Sequence, residues 1–219
     1  MTLTAPGPLR LRELVAFDLR HGLPVVWRVL RERLGRGAAA RVVARYAAAN
    51  LGPDPLRGLR LHADPREPLA RYQLRSALRL ERALAGLPRP LAAELLNEVV
   101  AEVGAAFVAA LAALDAAAWA GASDDERRAY ARGLLGRFPN STGEVVAVSP
   151  TGLDFDITAC RFVALTRELG RPDLTPLFCA ADTRYYARAG TPSLRRDETL
   201  AAGDARCAFR IRYGPDGGG

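Results

Sequence analysis

The 219-residue chain contains no lysine, so all 31 of its basic side chains are arginine. It has two histidines, His21 and His62, and three cysteines, Cys160, Cys179 and Cys207. Each scarcity excludes something. Neither histidine sits in an HExxH motif, and none follows residue 62. A Cys-His-Asp triad therefore cannot be built within the C-terminal part. Three cysteines cannot all pair in one chain, which argues against a disulfide framework. Separated by 19 and 28 residues, they also lack the close pairs of a structural zinc site. Asp182 would be a fourth ligand, but no spacing rule supports that set, so no metal is expected. There is no P-loop and no dinucleotide fingerprint, and no cofactor is expected. MTLTAPGP has no positively charged segment ahead of an apolar stretch, so it does not read as a signal peptide. The most apolar run, VVAEVGAAFVAALAALDAAAWAG, is interrupted by Glu102 and Asp115 and falls short of a membrane span. The expectation is a cytoplasmic protein with reduced thiols and no membrane partner.

What is present is a real core and an uneven charge. About half the residues are apolar, and the net charge is +7. Residues 9–90 hold 17 Arg against 7 acids, and residues 91–219 hold 14 Arg against 17 acids. A basic half can attract nucleic acid, an anionic surface or an acidic partner. Here the arginines alternate with Leu, Val and Ala at helical spacing, as in LRELVAFDLR, which reads as solvated helix faces. No nucleic-acid module accompanies them, and no nucleic-acid partner is expected.

The first eight residues read as a loose, disordered start. LRELVAFDLRHG and PVVWRVLRERLG read as helices separated at Gly22-Leu23-Pro24, with Gly35 and Gly37 ending the second. GAAARVVARYAAANLG gives another, and Pro53, Pro55, Gly58, Pro65 and Pro68 then break the pattern. Helices are expected over 69–85 and 91–119, the latter dense in small residues and suited to close helix packing. Ser123-Asp124-Asp125-Glu126 is a capping box that opens a helix running to about Leu135. From Phe138 the character changes. EVVAVS and LDFDI read as strands. Thr158 can cap a helix through CRFVALTREL that stops at Gly170, and Pro172-Asp173 can open another. CAFRIRY alternates as a half-buried strand, placing Cys207, Phe209 and Ile211 on one face. GPDGGG reads as a flexible tail. The fold class is α+β: a helical part, 9–137, packed on a smaller α/β part, 138–213, with an antiparallel sheet, and a tail at 214–219.

Of the three thiols, Cys160 attracts chemistry first. It follows Thr158 at the start of a helix, where unpaired backbone N–H groups favour an anion and can lower a thiol pKa. An inert, buried thiol is the competing reading, and it applies equally to Cys179 and Cys207. If Cys160 is a nucleophile, Asp156, Asp182 or Glu198 must supply the proton chemistry.

The blocks FDITACRF, ELG, PLFCAAD and ETLAAGDARCAFRI, in this order, resemble the L-2-amino-thiazoline-4-carboxylic acid hydrolase family over roughly residues 138–213. The run from Thr199 through Gly203 and Cys207 to Phe209 is also similar to small ligand-binding domains of the 4-vinyl reductase type. The first resemblance implies hydrolytic opening of a small ring at the carbon between two heteroatoms. It places Asp156, Cys160, Cys179, Asp182, Thr199, Gly203 and Cys207 at matching positions. The candidate catalytic residues are Cys160, Asp182 and Glu198. Asp156, Arg161, Cys179, Arg195, Thr199 and Cys207 are candidate substrate contacts, with Arg161 or Arg195 able to hold a substrate carboxylate. Two mechanisms stay open: addition of the Cys160 thiolate to the ring carbon, or a carboxylate activating water while Cys160 lines the pocket. Three other functions compete with hydrolysis: a tailoring enzyme of specialised metabolism that forms or rearranges a ring, a small-molecule binding domain without catalysis, and a helical protein-interaction module that uses the basic first part. The expected partner is a small molecule. Oligomeric state is left open, with the helix at 91–119 expected in the core.

Overall fold

The computed structural model describes residues 3–60, 67–112, 114–138, 140–188 and 192–213. His62, Pro65 and the tail at 214–219 lie outside them. Eight α-helices are described: α1 Leu11–Phe17, α2 Leu23–Leu51, α3 Glu67–Leu84, α4 Arg89–Ala112, α5 Ala116–Gly121, α6 Asp124–Arg137, α7 Arg161–Glu168 and α8 Thr175–Tyr186. Four strands, β1 Ser141–Ser149, β2 Gly152–Cys160, β3 Ser193–Arg195 and β4 Cys207–Arg212, form one antiparallel sheet in the order β1-β2-β4-β3. The class is α+β, mostly helical, with the small sheet near the C-terminus. Among the described residues no helix is long and apolar enough to cross a membrane.

The local signals explain most element ends. The chain passes from α1 to α2 without leaving the helical path, through a π-helical turn at Asp18–Gly22 that accommodates Pro24 in the first turn of α2. The expected break at Gly35 is real: φ is 75° and ψ 165°, a bend inside α2 that glycine adopts freely. The helix expected over 91–119 is two helices. α4 stops at Ala112, and Asp115 caps α5 by accepting from the N–H groups of Ala117 (2.9 Å) and Ala118 (3.1 Å). The Ser123–Glu126 capping box forms as read, with the Ser123 N–H donating to Glu126 at 2.8 Å. Buried Arg127 then ties α6 to α5 by donating to the carbonyls of Trp119 and Ala120.

Helix α4 is central. Leu95, Leu96 and Val99 pack with Val29, Leu30 and Val42 of α2, Leu74 and Leu84 of α3, and Phe162 and Leu165 of α7. Its small residues admit α8: a Cβ placed on Gly104 would lie 2.4 Å from the Ala181 Cβ. The outer side of α4 answers the arginine excess. Arg28 of α2 and Arg188 bond Glu102 at 2.9 and 2.8 Å, and Arg33 bonds Glu94 at 3.0 Å and also pairs with Glu98. The uneven charge along the sequence thus becomes pairing within the molecule, each exposed pair contributing about 0–1 kcal/mol.

The sheet has two unlike faces. Leu153, Phe155 and Ile157 of β2 share the inner face with Cys207, Phe209 and Ile211 of β4, as the alternation in CAFRIRY requires. The paired rings of Phe155 and Phe209 stack at 4.7 Å. This face packs beneath α6, with fully buried Trp119 donating its indole N–H to the Ser149 carbonyl at 2.8 Å. Residues 3–8, ahead of α1, have no regular structure. Gly7 accepts from Arg137 at 2.9 Å, and Ala5 and Pro6 lie against Gly133.

Candidate active site

The helix after β2 begins two residues later than its cap signal suggests. Thr158 is still in the strand, and its hydroxyl donates to the Thr142 carbonyl at 3.4 Å. Cys160 itself is the N-cap residue of α7, with extended backbone (φ −128°, ψ 123°). After Gly170, where φ is 73°, a 3-10 turn at Pro172–Leu174 leads into α8. The hydroxyls of Thr166 and Thr175 meet at 2.6 Å and fix α8 against α7. Cys179 and Asp182, three positions apart on α8, therefore share a face turned to the inner side of the sheet.

There the chain encloses a cavity of about 130 Å³. It is lined by all three thiols, Asp182, Arg196, Tyr186 and Tyr213, among apolar and aromatic side chains that include Phe155, Phe162, Phe178 and Phe209. At about 30 Å³ per water, the space is that of roughly four waters, suited to a small ring rather than a peptide. Among the described residues Asp182 is the one carboxylate in the lining. Arg196 donates from Nη1 to Asp182 Oδ2 at 2.8 Å and from Nη2 to the Cys179 carbonyl at 3.0 Å. Its guanidinium lies 5.0 Å from the centre of the Phe209 ring, within cation–π range.

Burial dominates the protonation of Asp182 and of the three thiols. The Asp182 carboxyl is pushed up by burial, and Arg196 only partly reverses this. About 28% of the side chain is accessible, so the group is deeply set yet reachable from the cavity it lines. Burial also pushes the Cys160 thiol up, against the downward pull of the Phe162 and Val163 N–H groups, while Cys207 and Asp182 add to the rise. The expected lowering at the helix start exists as one contribution, but burial outweighs it. Cys179 is pushed up to about 12 by burial, although Arg196 opposes it. Cys207 is likewise raised by burial, while accepting from the Leu200 N–H at 3.3 Å. In the resting protein all three are neutral thiols at pH 7. Among the described residues no group of three His, Cys, Asp or Glu side chains is placed to hold a metal ion.

The structure brings together Cys160, Cys179, Asp182 and Cys207, and leaves the other five candidates off the cavity lining. Asp156 points to the opposite face of the sheet, its two oxygens bonded by Arg210 (2.8 Å) and Arg206 (2.9 Å). Glu198 is on that side as well, bonded to the same Arg206 at 3.0 Å. Arg195 pairs with Asp197 at 2.9 Å with 78% of its side chain exposed. Thr199 organises the turn before β4: its hydroxyl accepts from the Ala202 N–H, its own N–H donates to Asp204, and Gly203 closes the turn at φ 101°. Arg161 begins α7 and donates its backbone N–H to the Asn140 carbonyl at 2.6 Å. The residue that the sequence reading missed is Arg196. Strand parity is the signal: Leu194 packs inward, so its neighbour Arg195 faces out and Arg196 returns to the inner side.

Residues 76–211 match the family described as L-2-amino-thiazoline-4-carboxylic acid hydrolase, a segment that includes every described residue of the cavity lining except Tyr213. No curated protein and no solved structure matches the chain. The match extends well ahead of the blocks that carry the resemblance, into α3, so that α4, α8 and the sheet fall within one shared unit. With well over half its length in that segment, the chain belongs to the L-2-amino-thiazoline-4-carboxylic acid hydrolase family, whose name is that of a hydrolase of a small ring.

Proposed function

We propose that the protein hydrolyses a small heterocycle in the cavity between α8 and the sheet, with Asp182 as the acid–base group. The observation that carries this reading is Asp182 itself. Among the described residues it is the cavity's only carboxylate, raised by burial and held by a single arginine. A carboxyl tuned upward in this way exchanges protons closer to neutral pH than an ordinary aspartate. Water adds through oxygen to the ring carbon between two heteroatoms, and the Asp182 carboxylate takes its proton. The tetrahedral adduct then breaks the bond to one ring heteroatom, which receives that proton from Asp182. One water is consumed, the ring opens, and Asp182 ends as it began. Arg196 keeps the carboxyl oriented and limits the rise in its pKa.

A second reading has one observation in its favour. The N–H groups of Phe162 and Val163 act on the Cys160 sulfur, where they would stabilise a thiolate formed once substrate is bound. Cys160 would then add to the ring carbon while Asp182 takes the thiol proton.

The test is mass spectrometry of purified protein incubated with thiazolines, cyclic amidines and small lactams, followed for the gain of one water. Wild type is expected to convert at least one class. Asp182→Asn is expected to lower turnover by about 100-fold or more. Cys160→Ser with most of its rate intact supports water attack, and loss of turnover in Cys160→Ser selects the covalent scheme. No conversion of any ring by a folded wild-type protein overturns the proposal.

A further inference from the structure

We propose that a second cavity, in the helical half, binds a small apolar cation: a protonated amine or quaternary ammonium on an aromatic or alkyl body, held by Asp18. At about 290 Å³ this cavity is larger than the one beside Asp182. It lies between the π turn, α3 and α4, and nothing in the proposed hydrolysis uses it. Asp18, Gly22, Tyr46 and Tyr72, on its wall, all precede the segment that matches the family.

The lining carries one charge. Among the described residues Asp18 is the only ionisable group there apart from two tyrosines, and no described arginine or histidine lines the cavity; the chain has no lysine. In a protein with 31 arginines that is unusual, and the comparison with other acids shows its effect. Asp54 is also pushed up by burial, but Arg75 and the Leu56 N–H outweigh burial and hold it below the ordinary range. At Asp18 burial prevails, and the only opposing group is the Tyr72 hydroxyl. A carboxylate taken out of water without a cation is costly, and a bound ammonium removes that cost.

The backbone is shaped to present this group. The π turn widens the helix at Asp18–Gly22, a feature that often marks functional positions. Gly22 leaves the space that the carboxylate uses: a Cβ there would lie 3.0 Å from Asp18 Oδ1. Around it stand the rings of Phe17, Tyr46, Tyr72 and Phe107, whose faces attract a cation. Phe17 and Phe107 meet edge to face at 5.4 Å, which holds both rings in place. The outer rim consists of Val15, Leu19 and Leu23, all exposed, with Leu19 at 63%. An apolar body leaving water for this cavity would cover them.

Three probes of one shape separate charge from hydrophobicity: 2-phenylethylammonium, 2-phenylethanol and phenylacetate, each titrated calorimetrically into the full chain. The ammonium is expected to bind about tenfold more tightly than the alcohol, and phenylacetate is expected not to bind. Asp18→Asn should reduce the ammonium to the affinity of the alcohol while leaving the alcohol unchanged. Tyr72→Phe and Gly22→Ala, which alter the setting of the carboxyl without removing it, should weaken ammonium binding by smaller factors. Equal affinity for ammonium and alcohol in wild type, or no ammonium binding at millimolar concentration, overturns the proposal. So does a preference that survives Asp18→Asn, or one that disappears in Asp182→Asn, which would put the cation in the other cavity. If Asp18→Asn fails to fold, equal wild-type affinities still overturn the proposal, and a preference that survives Asp182→Asn still supports it.

Discussion

The two faces of the sheet each hold an aspartate against arginine, and of the two it is Asp182 that lines the cavity beside α8. On the outer face Asp156 has both oxygens bonded, one by Arg206 and one by Arg210. On the inner face Arg196 bonds Oδ2 of Asp182 and sends its other nitrogen to a backbone carbonyl. The first carboxylate is saturated and joins the turn before β4 to β2. The second is held by one cation, is raised by burial, and looks onto space. Residue type and ion pairing are nearly the same at the two positions. What separates them is how many partners each oxygen has and whether a small molecule can reach it.

The largest effect should come from making the same substitution on both faces. Asp182→Asn is expected to remove ring-opening turnover while the protein stays folded. Asp156→Asn should keep turnover per folded molecule but cost about 2 kcal/mol, because it strips a buried partner from two arginines. Parallel measurement of kcat and thermal midpoint separates the two. If both variants lose activity equally, the distinction between the faces is wrong.

The next effect concerns α8, which carries Asp182. Gly104→Ala puts a methyl group where the Ala181 Cβ already sits. The expected loss is about 1–3 kcal/mol, together with reduced turnover as α8 is pushed off α4. Adding Ala181→Gly should restore both, read by denaturant midpoint and rate.

The pH dependence sharpens the contrast further. Asp182 is raised above the ordinary aspartate value, so the native state keeps this proton to a higher pH than the unfolded chain does. Its contribution to stability therefore falls as pH rises from 3.8 through the native value, and Asp182→Asn should remove that slope. For catalysis the same shift places the acid limb of kcat above the ordinary aspartate range. The raised thiols give a matching sign. Alkylation of Cys160, Cys179 and Cys207 by iodoacetamide should be slow at pH 7 and accelerate at alkaline pH, checked by peptide mapping.

The smallest effect is expected at Glu198, half exposed and paired with exposed Arg206. Glu198→Gln should change turnover by less than about twofold. A larger loss would bring the outer face into the chemistry.

Much of this arrangement was legible in the residues. The Ser123 capping box, the alternation in CAFRIRY and the breaks at Gly35 and Gly170 are local signals, and each names its own element, whereas Gly22 and Gly37 stay on the helical path. The i, i+3 spacing of Cys179 and Asp182 put them on one helix face, and the family blocks pointed to three thiols that do share a wall. Arg196 was hidden by its neighbour: in a pair of arginines composition says nothing, and only strand parity from Leu194 distinguishes inward from outward. Thr158 misled because a capping residue type also occurs inside strands, and the actual cap, Cys160, is not a standard one. The pull of the helix start on Cys160 was read correctly in sign but not in rank, since burial depends on Phe162, Phe178 and α8 coming together. The Asp18 cavity needs Asp18 and Tyr72 in contact across more than fifty residues, which no local pattern shows.

Phe178 lines both cavities, stacked on Phe162 at 3.8 Å between centroids. Any molecule that turns or clamps this ring from one side alters the room left on the other. Thermodynamic reciprocity then applies: whatever factor an ammonium in the helical half imposes on the affinity for a ring beside Asp182, that ring imposes on the ammonium. Replacing Phe178 by leucine should uncouple the two occupancies without touching either carboxylate.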